Sequence, residues 1–200
     1  MNTPAITSAE TVRLFAAVSV PDTIKQSLSI LCEDIKSELP FRKWAHMDDY
    51  HITLQFLGDT PSALIPAIST ALREAAAAVP AFELRVDSLG VFGRPIRPSV
   101  LWSGVHGDVE QLHKLQQNVA QKLKPLGLMP ESRSYNPHLT LARNYAGVES
   151  FELSQLGGFK VQTAPSGTPL QWSADAITLY QTHLQRRPMY EAISVAPLVD

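Results

Sequence analysis

The sequence predicts a mixed α and β fold of two similar lobes facing one another across a cleft, and three observations carry that expectation. Short apolar runs suited to strands alternate with runs that keep the 3.6-residue period of a helix. Two tetrapeptides of one form, His51-Ile52-Thr53-Leu54 and His138-Leu139-Thr140-Leu141, stand 87 residues apart inside such apolar runs. A faint duplication links their surroundings. Val86-Asp87-Ser88-Leu89-Gly90-Val91 comes after the first motif and Ala176-Ile177-Thr178-Leu179-Tyr180 after the second, with Leu89 and Leu179 lying 38 and 41 residues beyond the two histidines. Two βαβ-like lobes with one motif each would set the histidines across a pseudo-twofold cleft.

Residues 1–11 read as a loose polar extension, and residues 12–200 as a single two-lobed domain. Residues 13–20 suit a strand, after which Pro21 opens a helix with Ile24, Leu28, Leu31 and Ile35 on one face until Pro40. The first motif strand, residues 51–57, ends at Gly58-Asp59-Thr60-Pro61, where Thr60 reads as N-cap and Pro61 as the first residue of a second helix. Leu64, Ile65, Ile68 and Leu72 give that helix its buried face, and the alanines at 75–78 its close-packed end. Residues 82–91 and 100–105 read as strands around Gly93-Arg94-Pro95-Ile96-Arg97-Pro98, a loop unsuited to a helix or an inner strand. Asp108 caps a third helix, with Leu112, Leu115, Val119, Leu123 and Leu126 on one face, stopped by Gly127. The second motif strand comes after Asn136-Pro137, and a Pro/Gly/Ser-rich loop at 165–169 leads to a terminal antiparallel pair at 176–183 and 190–195.

In an extended segment side chains alternate between faces, so each motif His and the Thr two positions on point the same way while their apolar neighbours point inward. With 6 His and 12 Thr in 200 residues, about 0.4 His-x-Thr triplets are expected by chance, so two in matching surroundings carry weight. Side by side, the two strands would offer two imidazoles and two hydroxyls to one ligand. Hydrolysis of a phosphodiester needs a base for water and an acid for the leaving alkoxide. An ordinary His pKa of about 6.5 lets one ring be neutral and the other protonated near pH 7.

Composition narrows the classes. A net charge of −2 argues against a protein that binds long nucleic acid through a field of phosphate contacts, and leaves a nucleic-acid end or a small nucleotide open. The single cysteine, Cys32, lies in a helical pattern and reads as a buried structural thiol, with no intrachain disulfide to form. The first apolar run comes after Glu10 and is too short for a membrane span, so the expectation is a cytoplasmic protein without a membrane partner.

The segments Arg13-Leu14-Phe15, His51-Ile52-Thr53-Leu54-Gln55-Phe56-Leu57-Gly58, Leu101-Trp102-Ser103-Gly104-Val105, Pro137-His138-Leu139-Thr140-Leu141-Ala142-Arg143 and Leu179-Tyr180 resemble the bacterial and archaeal RNA 2′,3′-cyclic phosphodiesterases. These are two-histidine phosphoesterases first named as 2′-5′ RNA ligases. The likeness runs from Arg13 to Val195. It implies a bilobal, LigT-like α+β fold whose antiparallel sheets line the cleft with helices outside. It also implies hydrolysis of a 2′,3′-cyclic phosphate, on an RNA end or a cyclic nucleotide, to a 2′-phosphate with no metal or other cofactor. Reversible joining of 2′-5′ linked RNA would use the same phosphate site. On the matching positions His51 would be the proton donor to the 3′ oxygen and His138 the acceptor that activates water. Thr53 and Thr140 would hold the non-bridging oxygens, and Arg143 would stand near the phosphate.

Strict alternation from His138 puts Arg143 on the wrong face, so its role requires a bulge or a strand end near Ala142. Alternation from His51 likewise turns Phe56 toward core packing rather than toward a base, and puts Gln55, where relatives often carry Lys, on the catalytic face. His46, His106, His113 and His183 have no motif around them and read as surface or satisfied structural residues. Two other functions fit the same motifs: a non-catalytic RNA-end or nucleotide binding module, against which the intact histidine pair speaks, and a metal hydrolase. The second lacks a tight His-x-x-x-His or carboxylate signature, and Asp48 and Asp49 are its only candidate ligands.

Overall fold

The computed structural model describes residues 10–161 and 170–199. Nine strands and three α-helices run in the order β1 (Thr11–Ser19), α1 (Asp22–Glu38), β2 (Phe41–Trp44), β3 (His51–Pro61), α2 (Ile65–Ala76), β4 (Phe82–Arg94), β5 (Arg97–Gly107), α3 (Val109–Leu123), β6 (His138–Tyr145), β7 (Leu170–Ala174), β8 (Ala176–Thr182) and β9 (Tyr190–Pro197). The strands form one antiparallel sheet in the order β7-β4-β5-β6-β3-β1-β8-β9, with β2 added beside β6. The architecture is α+β.

The motif strands β3 and β6 lie at the middle of the sheet and meet at one residue pair, Ile52 with Leu139. On either side the order repeats: motif strand, then the strand that precedes a helix (β1 or β5), then β8 or β4, then the edge strand β9 or β7. The repeated unit is strand, helix, motif strand, as β1-α1-β3 and as β5-α3-β6. The matched segments at 86–91 and 176–180 fall in β4 and β8, which hold equivalent places in opposite lobes. The lobes are therefore not contiguous halves of the chain, because β4, which comes after the first motif, joins the lobe of the second, and β8 and β9, which come after the second, join the lobe of the first.

One face of the sheet is apolar and packs on the helices. Leu14, Ala16 and Val18 of β1, Ile52 and Leu54 of β3, Leu139 and Leu141 of β6 and Leu101 and Val105 of β5 join the buried faces of α1, α2 and α3 in one core. The expected helix stripes are buried as predicted, except Leu64, Ile65 and Leu126, which are only partly so. Cys32 is buried in α1, where desolvation pushes its thiol up to about 11. No helix among the described residues is long and apolar enough to cross a membrane.

The structure corrects several boundaries. Thr11, read as extension, opens β1 opposite Pro61, and residues 1–9 lie outside the described residues, as does the loop at 165–169. Thr60 is not an N-cap: β3 runs through it, its hydroxyl bonds the carbonyls of Leu57 and Gly58, and Pro66 takes the early-helix position. Asp108 does stand before α3, but its carboxylate accepts from the Glu83 N–H at 3.1 Å instead of capping. The segment 93–98 is a hairpin, with Gly93 paired to Pro98 and Arg94 to Arg97. Pro98 is tolerated because this end of the hairpin extends past the residues of β6 and β7 that pair with it, so no ladder bond is lost there. The short strands β2 and β7 carried no sequence signal of their own.

Leu139 is fully buried at the seam between the lobes. Leu139→Ala should cost about 2–5 kcal/mol in urea unfolding, whereas Val148→Ala, at a residue 98% exposed, should change stability by less than about 0.5 kcal/mol.

Candidate active site

His51 and Thr53 of β3 and His138 and Thr140 of β6 lie on the sheet face opposite the helices, as their alternation with buried Ile52, Leu54, Leu139 and Leu141 requires. Beyond each threonine the strand departs from alternation. In β3, Thr53 pairs with Ala17 but Gln55 pairs with Ala16, so Leu54 is an extra residue opposite one β1 position. In β6, Thr140 pairs with Trp102 but Ala142 pairs with Leu101, so Leu141 is extra in the same way. Each is a β-bulge, and each reverses the parity of the residues downstream.

The consequences are the same in both strands. Gln55 and Ala142 turn into the core, where Gln55 is 4% exposed and its Nε2 donates to the Leu128 carbonyl at 3.1 Å. The expectation of Gln55 on the catalytic face is thus overturned. Phe56 and Arg143, each five residues past its histidine, turn to the site face. Phe56 is 51% exposed with its ring 6.0 Å from that of Phe15, so the expected core packing is overturned by the same bulge. Arg143 lines a cavity of about 600 Å³ together with His51 and Thr140. The bulge its placement required is present.

Both imidazoles are oriented by the same device. Nδ1 of His51 lies 2.7 Å from the carbonyl oxygen of Asp49, and Nδ1 of His138 lies 2.7 Å from that of Asn136. A carbonyl only accepts, so each Nδ1 carries the proton and donates, which leaves each Nε2 as the free basic nitrogen of the neutral ring. His51 Nε2 accepts from the Thr53 hydroxyl at 3.0 Å.

Aromatic side chains wall both rings. Phe15 lies 4.7 Å from His51 between ring centroids and Tyr190 meets it edge-on at 5.1 Å, while Phe92 meets His138 edge-on at 4.9 Å. Burial among these rings disfavours the charged imidazolium and pushes the His51 pKa down to about 4 against its hydrogen bond to Asp49, with positive charge at His138 and Arg143 adding to the shift. His138 is lowered from its ordinary value by burial first and by Arg143 second, against its bond to Asn136. The two imidazoles and the guanidinium thus act on one another, and a negative charge among them would relieve all three.

Asp49, a candidate ligand for a metal hydrolase, has both carboxylate oxygens engaged. They accept from the Met189 N–H at 2.9 and 3.2 Å, and one accepts from the Tyr190 N–H at 3.1 Å. This residue therefore fixes the start of β9 with its side chain and His51 with its carbonyl. Among the described residues no three His, Cys, Asp or Glu side chains converge as a metal donor set. The other histidines have local partners. His106 meets Asp87 at 2.9 Å, His183 meets Glu191 at 2.7 Å and His113 packs on Tyr135, while Nδ1 of His46 accepts from the Asp48 N–H and its ring also lines the cavity.

Asp49 as the residue that orients His51, and Phe92 and Tyr190 as walls of the site, were not singled out from the sequence. Nor were Arg42, Lys43, Arg186 and Arg187, which line the same cavity as His51. The two basic dipeptides are a visible signal, but a basic pair beside a turn is as often a solvated surface feature.

A model of the 2′-5′ RNA ligase superfamily matches residues 21–186. A protein of Geobacillus stearothermophilus named RNA 2′,3′-cyclic phosphodiesterase is 35% identical over 185 residues, which are 92% of this chain and 57% of that relative. The chain thus spans little more than half the length of that protein. One of Bacillus subtilis with the same name is 31% identical over 181 residues, covering 90% of this chain and 92% of the relative. Among solved structures, E. coli LigT complexed with 3′-AMP superposes with a TM-score of 0.73 at 22% identity, over 96% of this chain and 100% of that one. The Thermus thermophilus protein TT0787 gives 0.69 at 22% identity over 93% and 97%. The fold is that of LigT, and the chain belongs to the 2′-5′ RNA ligase superfamily.

Asp49→Ala leaves the half-buried N–H groups of Met189 and Tyr190 without their acceptor and should cost about 1–3 kcal/mol in urea unfolding. Asp49→Asn keeps an acceptor oxygen and should cost clearly less.

Proposed function

We propose that this chain hydrolyses the 2′,3′-cyclic phosphate of an RNA end or a nucleotide to a 2′-phosphate by acid/base catalysis from two histidines. The observation that carries the reading is the paired arrangement itself. Each motif offers an imidazole whose Nε2 is freed by a backbone carbonyl on Nδ1, and the two are close enough for charge on His138 to depress His51. The relatives named RNA 2′,3′-cyclic phosphodiesterase give the same substrate class.

In the reaction, His138 takes a proton from water as its oxygen bonds to phosphorus. The P–O3′ bond breaks, and His51 gives its proton to the departing 3′ oxygen. Thr53 and Thr140 donate hydroxyl hydrogen bonds to the non-bridging oxygens, and the Arg143 guanidinium balances the charge that accumulates on them. Thr53 is held by His51 Nε2 in the free site, so it rotates onto the phosphate as the substrate arrives. Fixed strands hold these groups in line with the attack, so little reorganisation is needed. Joining of 2′-5′ linked RNA uses the same site, with the 5′-hydroxyl of a second strand in place of water as the group that His138 deprotonates and the P–O3′ bond again the one that breaks. Such a role fits a chain that works in the cytoplasm.

A histidine with a pKa of about 4 is neutral at pH 7, so the acid role of His51 depends on the substrate. The phosphate anion between the rings favours the imidazolium and raises both pKa values. Both limbs of the pH profile of kcat, which reports the complex, should therefore lie at higher pH than those of kcat/KM, which reports the free protein. Coinciding limbs would contradict the reading.

The direct experiment incubates the protein with an oligonucleotide ending in a 2′,3′-cyclic phosphate, with chelator in excess, and locates the phosphate in the product. A 2′-phosphate is expected, and an unchanged substrate would leave the cleft as a binding site. His51→Ala and His138→Ala should each lower the rate by about 10²–10⁴ with folding intact. Arg143→Lys should also lose activity, because a point charge does not replace a bidentate guanidinium.

A further inference from the structure

Six of the chain's seventeen Lys and Arg side chains line the cavity that holds His51, Thr140 and Arg143, and one of its nineteen acidic ones does. In a chain of net charge −2 that is a local reversal of sign. The single acid, Asp49, is already bonded through both oxygens to backbone N–H groups. Of the cations, Lys36 reaches Glu33 and Arg186 reaches Glu191, whereas Arg42, Lys43, Arg143 and Arg187 make no ion pair among the described residues.

Cations left unpaired in one cavity repel one another, so they are costly unless an anion occupies the space between them. Arg143 suffices for the phosphate under attack. The others come from β2, through Arg42 and Lys43, and from the connection between β8 and β9, through Arg187, so the positive wall of the cavity extends beyond Arg143. A cyclic phosphate ends its strand, and every further phosphate of that strand lies on its 5′ side.

We infer that Arg42, Lys43 and Arg187 form a groove for the phosphodiesters immediately 5′ of the cyclised nucleotide, which makes a short RNA strand, not a mononucleotide, the preferred substrate. This rests on the cyclic-phosphate reading above and adds to it the length of substrate and the residues that select it. Few contacts are involved, so the affinity gained is modest and strongly dependent on salt.

The test compares a nucleoside 2′,3′-cyclic phosphate with a trinucleotide ending in the same group, using wild type, the double variant Arg42→Ala/Lys43→Ala, and Arg187→Ala. Wild type should favour the trinucleotide about tenfold or more in kcat/KM at low salt. For that substrate the slope of log kcat/KM against log salt should be steeper by about 0.7 per additional phosphate neutralised. The variants should lose most of the preference through KM and flatten that slope, with mononucleotide turnover within about twofold of wild type. Equal use of the two substrates by wild type, or variants that slow both alike, overturns the groove. If neither substrate reacts, the cyclic-phosphate reading fails, and the groove is then decided by fluorescence anisotropy with a 5′-labelled trinucleotide 3′-phosphate. Weaker binding by the variants upholds it, and equal affinity overturns it.

Discussion

Leu54 and Leu141 each occupy an extra position in a strand, and the rest of the site depends on that pair of insertions. A strand β3 without its insertion would present His51, Thr53 and Gln55 on one face and bury Phe56; β6 without its own would bring Ala142 to the cleft and hide Arg143. With them, both leucines and the residue after each turn into the helix-packed core, and the fifth residue after each histidine returns to the cleft. The lobes use that position differently: one places a phenyl ring there and the other a guanidinium. A symmetric backbone thereby yields an asymmetric cleft, with a cation beside one histidine–threonine pair and an aromatic face beside the other.

The same economy governs the imidazoles. Neither is oriented by a carboxylate side chain; each donates Nδ1–H to the carbonyl two residues upstream, so the segment that leads into each motif strand also sets the tautomer of its histidine. Burial among aromatic walls then lowers the pKa of both rings, and the Arg143 guanidinium adds to that effect. The free cleft is therefore a place where positive charge is crowded and an imidazolium disfavoured. A phosphate anion is the ligand that turns that crowding into attraction, which links binding to the protonation that the chemistry needs.

Much of this was legible in the residues. The motif strands and the helix stripes beginning at Ile24, Ile68 and Leu112 come from periodicity, because each buries one face against the core, and the terminal β8-β9 pair comes from two short strand-like runs close in sequence. Parity was not legible. A bulge leaves no composition signal in Leu54-Gln55 or Leu141-Ala142, so Phe56 and Gln55 were assigned to the wrong faces, and the same cause left Arg143 unresolved. Thr60 looked like a helix cap because Thr-Pro is a common start, but pairing of Thr60 and Pro61 with β1 carried the strand through it. Asp49 and the basic residues at 42–43 and 186–187 reach the site from segments with no motif, and only the tertiary fold brings them to His51.

Whether one phosphate is shared by the two imidazoles is tested most directly by NMR titration of the His51 and His138 ring protons, with and without saturating inorganic phosphate. Both rings should titrate below their ordinary value in the free protein, His51 at about 4, and phosphate should raise both together. Two histidines that titrate near about 6.5 and do not respond to phosphate would contradict the shared site.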